Sequence, residues 1–191
     1  AVVMLFAFAL DADSVILRKS TAGLFWVTVL FASTMITQRV SSIDRLAGIS
    51  DSMRLSRLAP QGVFLGRAMS LFLQLTAVEV VLGVAIVIMY DVRLDGLALV
   101  LASIPLSTGA MAAVGAMYGP LAAGVQGRDS VLSLLMLPVL APVLLAATNA
   151  YGVASGTTVG PGWRWIAMLG MLNAIYVAAG MATASALLEE S

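Results

Sequence analysis

The sequence predicts an all-α, polytopic membrane protein, a single transmembrane domain over residues 1–191 with about six membrane-spanning helices. The first observation is composition: 61% of the 191 residues are hydrophobic and only 10% are charged, whereas soluble domains are about 25% charged. The second is a mean hydropathy of +1.03. The third is that the apolar residues fall into runs of about 20, the length that a helix needs to cross the hydrocarbon core.

These apolar runs define the elements in order. Residues 1–10 are too short to cross a bilayer of about 30 Å, so we interpret them as the far end of span 1. The later runs predict span 2 at residues 21–38, span 3 at 68–90, span 4 at 97–118, span 5 at 130–150 and span 6 at 165–188. Helices are favoured over strands because backbone groups in lipid must be paired within the segment and none of the runs alternates.

The positions of the basic residues predict the orientation. Five arginines lie between spans 2 and 3, and Arg128 lies between spans 4 and 5, which gives six of the ten basic residues on one side. Lys and Arg are enriched in cytoplasmic loops. We therefore expect the segment 39–67 and the acidic C-terminus to face the cytoplasm. Tyr151, Trp163 and Trp165 would then lie in the outer aromatic belt.

One connection, residues 39–62, is too polar to cross a membrane and too apolar for a plain tail. Its apolar residues recur near helical spacing with charged residues between them. The pattern predicts a short amphipathic helix at the cytoplasmic interface, weakened at Gly48 and stopped by Pro60. Two interpretations stay open: a docking helix for a cytoplasmic partner, or a solvated helix that only anchors the loop.

Glu79 is a carboxyl group in the middle of span 3. A charge at that depth costs several kcal/mol unless it is paired, hydrated or neutralised, so we expect Glu79 to face the bundle interior. It could line a translocation path or take up a proton. It could equally form a hydrogen bond with a neighbouring helix, through a backbone group or through one of the other intramembrane polar residues, Gln74, Asn149 and Asn173.

Prolines and small residues mark two further features. Pro138 and Pro142 in span 5 each remove a helix hydrogen bond, which predicts a kink that is either a static bend or a moving gate. Small residues allow close helix packing, either in a dimer interface or within one subunit. They recur in span 4 and along one face of span 6, at Gly115, Gly119, Gly170, Ala174, Ala178 and Ala182.

Several functional classes are excluded by what the sequence lacks. The chain has no Cys and no His, so disulfides, thiolate metal sites and the commonest haem axial ligands are absent, and we expect no bound metal. Its net charge of zero gives no basic surface for nucleic acid. No GxxxxGK[ST] phosphate loop is present, so any ATP must bind to another chain. We therefore expect a non-catalytic membrane subunit that binds no cofactor directly.

Three stretches together resemble the CcmB family, the haem exporter B subunits of cytochrome c maturation and part of the type-2 ABC exporter class. The first runs from LFWVTVLFASTMITQR into DRLAGISDSMRLSRLAPQGVFLGRAMS. The second is LASIPLSTGAMAAVGAMYGPLAAGVQGRDSVLSLLMLPVLAPVLLAAT, and the third is the final span with its acidic tail. The resemblance implies a type-2 exporter-like helix bundle in a bacterial cytoplasmic (inner) membrane.

The resemblance also implies partners. These are a cytoplasmic ABC ATPase subunit that carries the ATP, a second copy of the chain, the other cytochrome c maturation membrane subunits and the haem chaperone, with haem as the candidate cargo. Residues 39–62 would act as the coupling segment. Its ATPase contacts would be Arg39, Asp44, Arg45, Gly48, Asp51, Arg54 and Arg57.

Three other functions compete with this one. They are a type-2 ABC permease for a lipid, drug or polysaccharide, a non-transporting membrane scaffold, and a secondary transporter that uses Glu79. A secondary transporter should fail when Glu79 becomes Gln and should tolerate loss of the ATPase. An ABC subunit depends instead on its docking segment.

Overall fold

The structure is a computed structural model that describes residues 14–46, 59–90, 96–123 and 129–190. Within these ranges every regular element is an α-helix and no strand occurs. The helices are α1 (Ser14–Leu46), α2 (Pro60–Tyr90), α3 (Leu97–Ala123), α4 (Asp129–Ala154) and α5 (Gly162–Glu190). Predicted span 1, residues 1–10, lies outside the described residues.

All five described helices are long and apolar enough to cross a membrane. The candidate spans are Ser20–Ile43, Pro60–Ile86, Leu97–Gly119, Leu135–Ala154 and Gly162–Ala184. Each overlaps one of the predicted spans 2 to 6. Large apolar side chains such as Met35, Val81 and Ile88 are 69–77% exposed on the bundle surface. That exposure suits lipid as the surrounding solvent.

The helices run alternately up and down, with α3 at the centre. α3 contacts all four other helices, whereas α1 and α5 each contact α2, α3 and α4. The order around α3 is therefore α1, α2, α5, α4. Half of the α3 span is buried, compared with 11% of the α5 span. Small residues make this possible, because Ala110, Ala113 and Ala116 let neighbouring backbones approach closely.

The bundle has two ends that we name by their residues. The turn end holds residues 155–161, where α4 is joined to α5, and the arginine end holds Arg39 and Arg67. At the turn end Gly156 adopts a left-handed backbone with φ of 69° just after α4. Glycine takes this conformation without steric cost, which is why helices often end on it. The Gly96 N–H donates to the Ala154 carbonyl and ties the start of α3 to the end of α4.

Several helices extend past the predicted span boundaries. α1 continues from span 2 to Leu46, and α3 runs through Gly119 and Pro120 to Ala123, although predicted span 4 ends at residue 118. Pro60 is the first residue of α2. Residues 47–58 of the amphipathic segment that it was predicted to stop lie outside the described residues. The first residue of a helix needs no N–H donor, and the fixed φ of proline suits that position.

Candidate functional site

Part of the predicted coupling segment, residues 39–46, lies at the arginine end of the bundle. Residues 39–46 are a continuation of α1 rather than a separate interfacial helix, and the Arg39 side chain is exposed there. Asp44 and Arg45 lie in the last turn of α1. Gly48, Asp51, Arg54 and Arg57 lie outside the described residues. With 33 residues, α1 is about 50 Å long, well above the roughly 30 Å of a hydrocarbon core.

The two glycines of span 4 pack within the chain. A Cβ on Gly115 would lie 2.7 Å from the Thr37 Oγ1, and one on Gly119 would lie 2.8 Å from the Ser41 Oγ. Thr37 and Ser41 are both buried, and the Ser41 hydroxyl donates to the Thr37 carbonyl. Thr37 and Ser41 on α1 and Gly115 and Gly119 on α3 are each four residues apart, and α1 and α3 therefore cross closely at these two pairs.

The small-residue face of span 6 has a different environment. Ala174, Ala178 and Ala182 are exposed, and Gly170 has no atom within 4 Å of the place where a Cβ would stand. This face does not pack against the described part of the chain. The predicted helix-packing residues in α3 therefore pack inside the bundle, whereas those in α5 lie on its outer surface.

Glu79 lies in the interior, at 2% exposure, as its position in a span predicted. The Thr108 hydroxyl donates to both carboxyl oxygens of Glu79, at 2.8 Å to Oε1 and 2.6 Å to Oε2. This contact joins α2 to α3 near mid-span. The same hydroxyl lies 2.7 Å from the Ile104 carbonyl of its own helix. The sequence signal for such a partner was a run of hydroxyl residues in span 4, of which Ser103, Ser107 and Thr108 are all fully buried.

The other intramembrane polar residues do not join Glu79. The Gln74 amide donates to the Ser70 hydroxyl on the exposed face of α2, and the Asn149 amide donates to the Leu145 carbonyl on α4. The Asn173 amide packs over Gly109, where a Cβ would lie 3.0 Å from Nδ2. The Asn173 Oδ1 is buried and has no hydrogen-bond partner in the described part of the chain. Glu79 and these amides are therefore separate sites.

The two prolines of α4 lie inside a continuous helix. Each lacks the N–H that would bond the carbonyl four residues earlier. The Tyr176 hydroxyl on α5 donates to the Val139 carbonyl in this same turn at 2.6 Å. This bond ties α5 to α4 beside the prolines. It does not replace a lost helix bond, because the carbonyls that Pro138 and Pro142 leave without a donor are those of residues 134 and 138.

The aromatic residues at the turn end divide between surface and core. Trp163 is 61% exposed and Trp165 is half-buried. Tyr151 is different: it is only 6% exposed, and its ring stacks on Phe25 with centroids 5.9 Å apart. The expectation that Tyr151 belongs to the interface belt is therefore wrong, because α4 turns this ring toward α1.

A cleft of about 290 Å³ lies beside Glu79, between α2 and α3 toward the turn end. Phe25 and Tyr151 line one part of it, and Gly83, Ile104 and other apolar residues of α2 and α3 line the rest. Glu79 is the one ionisable carboxyl on its wall. In the described residues no group of three or more His, Cys, Asp or Glu side chains is placed to hold a metal ion.

Comparison with known proteins identifies the family. A family model described as "CcmB protein" matches residues 1–190, essentially the whole chain. A search of curated proteins gave no significant match. The matched length includes all five described spans and the extended α1. The chain therefore belongs to the CcmB family, which makes it a multi-pass membrane component of a haem-export ABC system.

Proposed function

We propose that the chain is the permease subunit of an ABC-type complex that serves cytochrome c maturation. It would couple ATP hydrolysis on a separate cytoplasmic subunit to delivery of haem, or to release of a haem-loaded chaperone, on the opposite face. The family match carries the haem-export part of this proposal. The absence of a phosphate loop from the sequence is the reason for assigning ATP to a partner.

The contact with the ATPase is proposed to lie at the arginine end, on the cytoplasmic side of a bacterial inner membrane. α1 extends beyond its apolar span, which ends at Ile43, and ends at Leu46. The exposed Arg39 lies about one helical turn before Ile43. A rigid helix that continues from the bilayer into water can transmit a push from a bound ATPase to α3, because α1 packs closely on Gly115 and Gly119.

A haem-stained denaturing gel of membranes tests the maturation role. A strain that lacks the chain should lose the covalent haem bands of its c-type cytochromes, and the intact gene should restore them. Unchanged bands in the deletion strain would refute the cytochrome c assignment. A type-2 ABC permease for another cargo would then be the leading alternative.

A charge-reversal variant tests the proposed ATPase contact. Arg39→Glu combined with Arg45→Glu should lower copurification of the ATPase by about tenfold or more. The new negative charges would face a partner surface that is complementary to arginine and would be repelled by it. Arg164→Glu is the matched control, since Arg164 is an exposed arginine at the turn end. Equal copurification in both variants would contradict a contact at the arginine end.

A further inference from the structure

The cleft beside Glu79 is a second site whose chemistry the proposed function does not use. It lies between α2 and α3 and extends from Glu79 near mid-span toward Ile88 and Val100 near the turn end. Ile88 and Val84 are 77% and 56% exposed. The cleft therefore opens sideways toward lipid, and a ligand would enter it from the membrane.

The charge of Glu79 is not balanced by the groups around it. A carboxylate can accept about four hydrogen bonds, and Thr108 is the one side-chain donor it has in the described part of the chain. That single hydroxyl proton is also within reach of the Ile104 carbonyl. Among the described residues, no Lys or Arg side chain lines the cleft. An unpaired carboxylate at this depth is costly, and either a bound proton or a cation beside it would remove much of that cost.

The remaining walls suit an organic cation rather than a metal ion. Phe25 and Tyr151 form a stacked pair, with an interplanar angle of 19°. Aromatic rings attract cations through their quadrupole and also bury apolar groups. Metal ions of the Ca²⁺ or Mg²⁺ type need about six oxygen ligands, whereas this cleft offers one carboxyl and mostly apolar walls.

We propose that this cleft binds a lipophilic monovalent cation, whose charge pairs with the Glu79 carboxylate and whose apolar part packs against Phe25 and Tyr151. The volume of about 290 Å³ fits a cation with a single aromatic ring and short alkyl groups. A lipophilic anion would meet the same carboxylate with the same sign of charge. A neutral ligand would leave that carboxylate unpaired.

Equilibrium dialysis of benzyltriethylammonium against the full chain in phosphatidylcholine nanodiscs tests the proposal. Empty nanodiscs give the background of simple partitioning, and benzenesulfonate serves as the anionic control. We expect saturable binding of one cation per chain and no saturable binding of the anion. Absence of saturable cation binding would overturn the proposal.

Two variants locate the site. Glu79→Gln keeps an oxygen acceptor for Thr108 but removes the charge, so binding should weaken about tenfold or more. Gly83→Leu fills the cleft while keeping the Glu79 carboxyl, because a Cβ at Gly83 has no described atom within 4 Å. It should weaken binding to a similar degree.

Gly66→Leu is the matched control for the second variant. Gly66 lies on the same helix and also has open space around its Cβ position, but it does not line the cleft. It should bind like the parent chain. Unchanged binding in both Glu79→Gln and Gly83→Leu would show that the cation sits elsewhere, and would overturn the proposal while leaving the haem-export function untouched.

Discussion

Thr108 is the residue that connects the buried carboxyl of Glu79 to a second helix. Replacing it with Val keeps the side-chain shape but leaves the carboxyl without its described donor. We expect Thr108→Val to lower the free energy of unfolding by about 1–3 kcal/mol, the usual cost of an unsatisfied buried polar group. This exceeds the roughly 0.6 kcal/mol average for hydrogen bonds between membrane helices. Reversible unfolding in mixed micelles measures the difference.

Thr76→Val is the control for that change. The Thr76 hydroxyl donates to the Phe72 carbonyl of its own helix and to no second helix in the described structure. Its loss should cost about 0.5 kcal/mol or less. If the two Thr→Val variants lose equal stability, the contact between Glu79 and Thr108 contributes nothing beyond a local bond.

The sequence predicted the burial of Glu79 but not its partner. Burial follows from the cost of placing a charge in lipid, and the position of Glu79 in a span is enough to predict it. The partner depends on the register between α2 and α3, and hydropathy carries no information on register. Serine and threonine hydroxyls also bond their own helix, as Ser107 does, so their presence in a span does not single one out. Tyr151 was misplaced for a related reason: an interfacial position in sequence does not say which way a ring points.

At the scale of the element, the contact between α2 and α5 depends on the absence of a side chain at Gly180. The ring of Phe64 on α2 occupies the space where a Cβ on Gly180 would stand. Phe64 is 5% exposed and packs in the core at the arginine end. Gly180→Ala must displace this ring, so we expect it to destabilise the protein by about 1–3 kcal/mol. Thermal unfolding in detergent measures the change.

Gly170→Ala provides a control on the same helix. Both substitutions gain helix propensity, worth roughly 0.5–1 kcal/mol. At Gly170 the added methyl meets no atom within 4 Å, so that gain should appear as higher stability. Opposite signs are therefore expected for the two variants. Stabilisation by Gly180→Ala would show that Phe64 moves away at no cost.

The existence of the five described helices could be predicted from sequence, while their ends could not. Hydropathy reports where a helix contacts lipid, so it found the spans. A helix can continue beyond the lipid wherever its backbone hydrogen bonds continue. α1 reaches Leu46, although predicted span 2 stops at residue 38. Proline does not mark helix ends consistently either: Pro60 begins α2, and Pro120 lies inside α3.

At the scale of the whole molecule, the arrangement around α3 follows from residue size. The helix with the most buried span has mostly small residues at its buried positions, and the helices around it supply the larger Trp26, Leu71, Leu140 and Leu169. In lipid, apolar surface gives little drive for association, so close packing of small residues on large ones holds the helices together. Which helix would be central could not be deduced from hydropathy, because all five spans are similarly apolar.

The orientation of the bundle in the membrane is open to direct test, because the chain contains no cysteine. A single introduced thiol therefore reports its own side without background labelling. Val159 in the α4–α5 turn is fully exposed, and Gln61 in the first turn of α2 is exposed at the arginine end. The excess of arginine near α1 and α2 predicts that Gln61 faces the cytoplasm and Val159 the opposite side.

An impermeant maleimide should therefore label Val159→Cys in intact spheroplasts and label Gln61→Cys only after lysis. The two positions lie at opposite ends of the bundle, separated by α2, α3 and α4. Three successive crossings place them on opposite sides whichever way the bundle points, so the pair checks both the number of crossings and the orientation. Labelling of both thiols in intact cells would contradict the crossing pattern. Labelling of Gln61→Cys alone would keep the fold but invert it, and would remove the arginine end from the cytoplasm, where the proposed ATPase contact requires it.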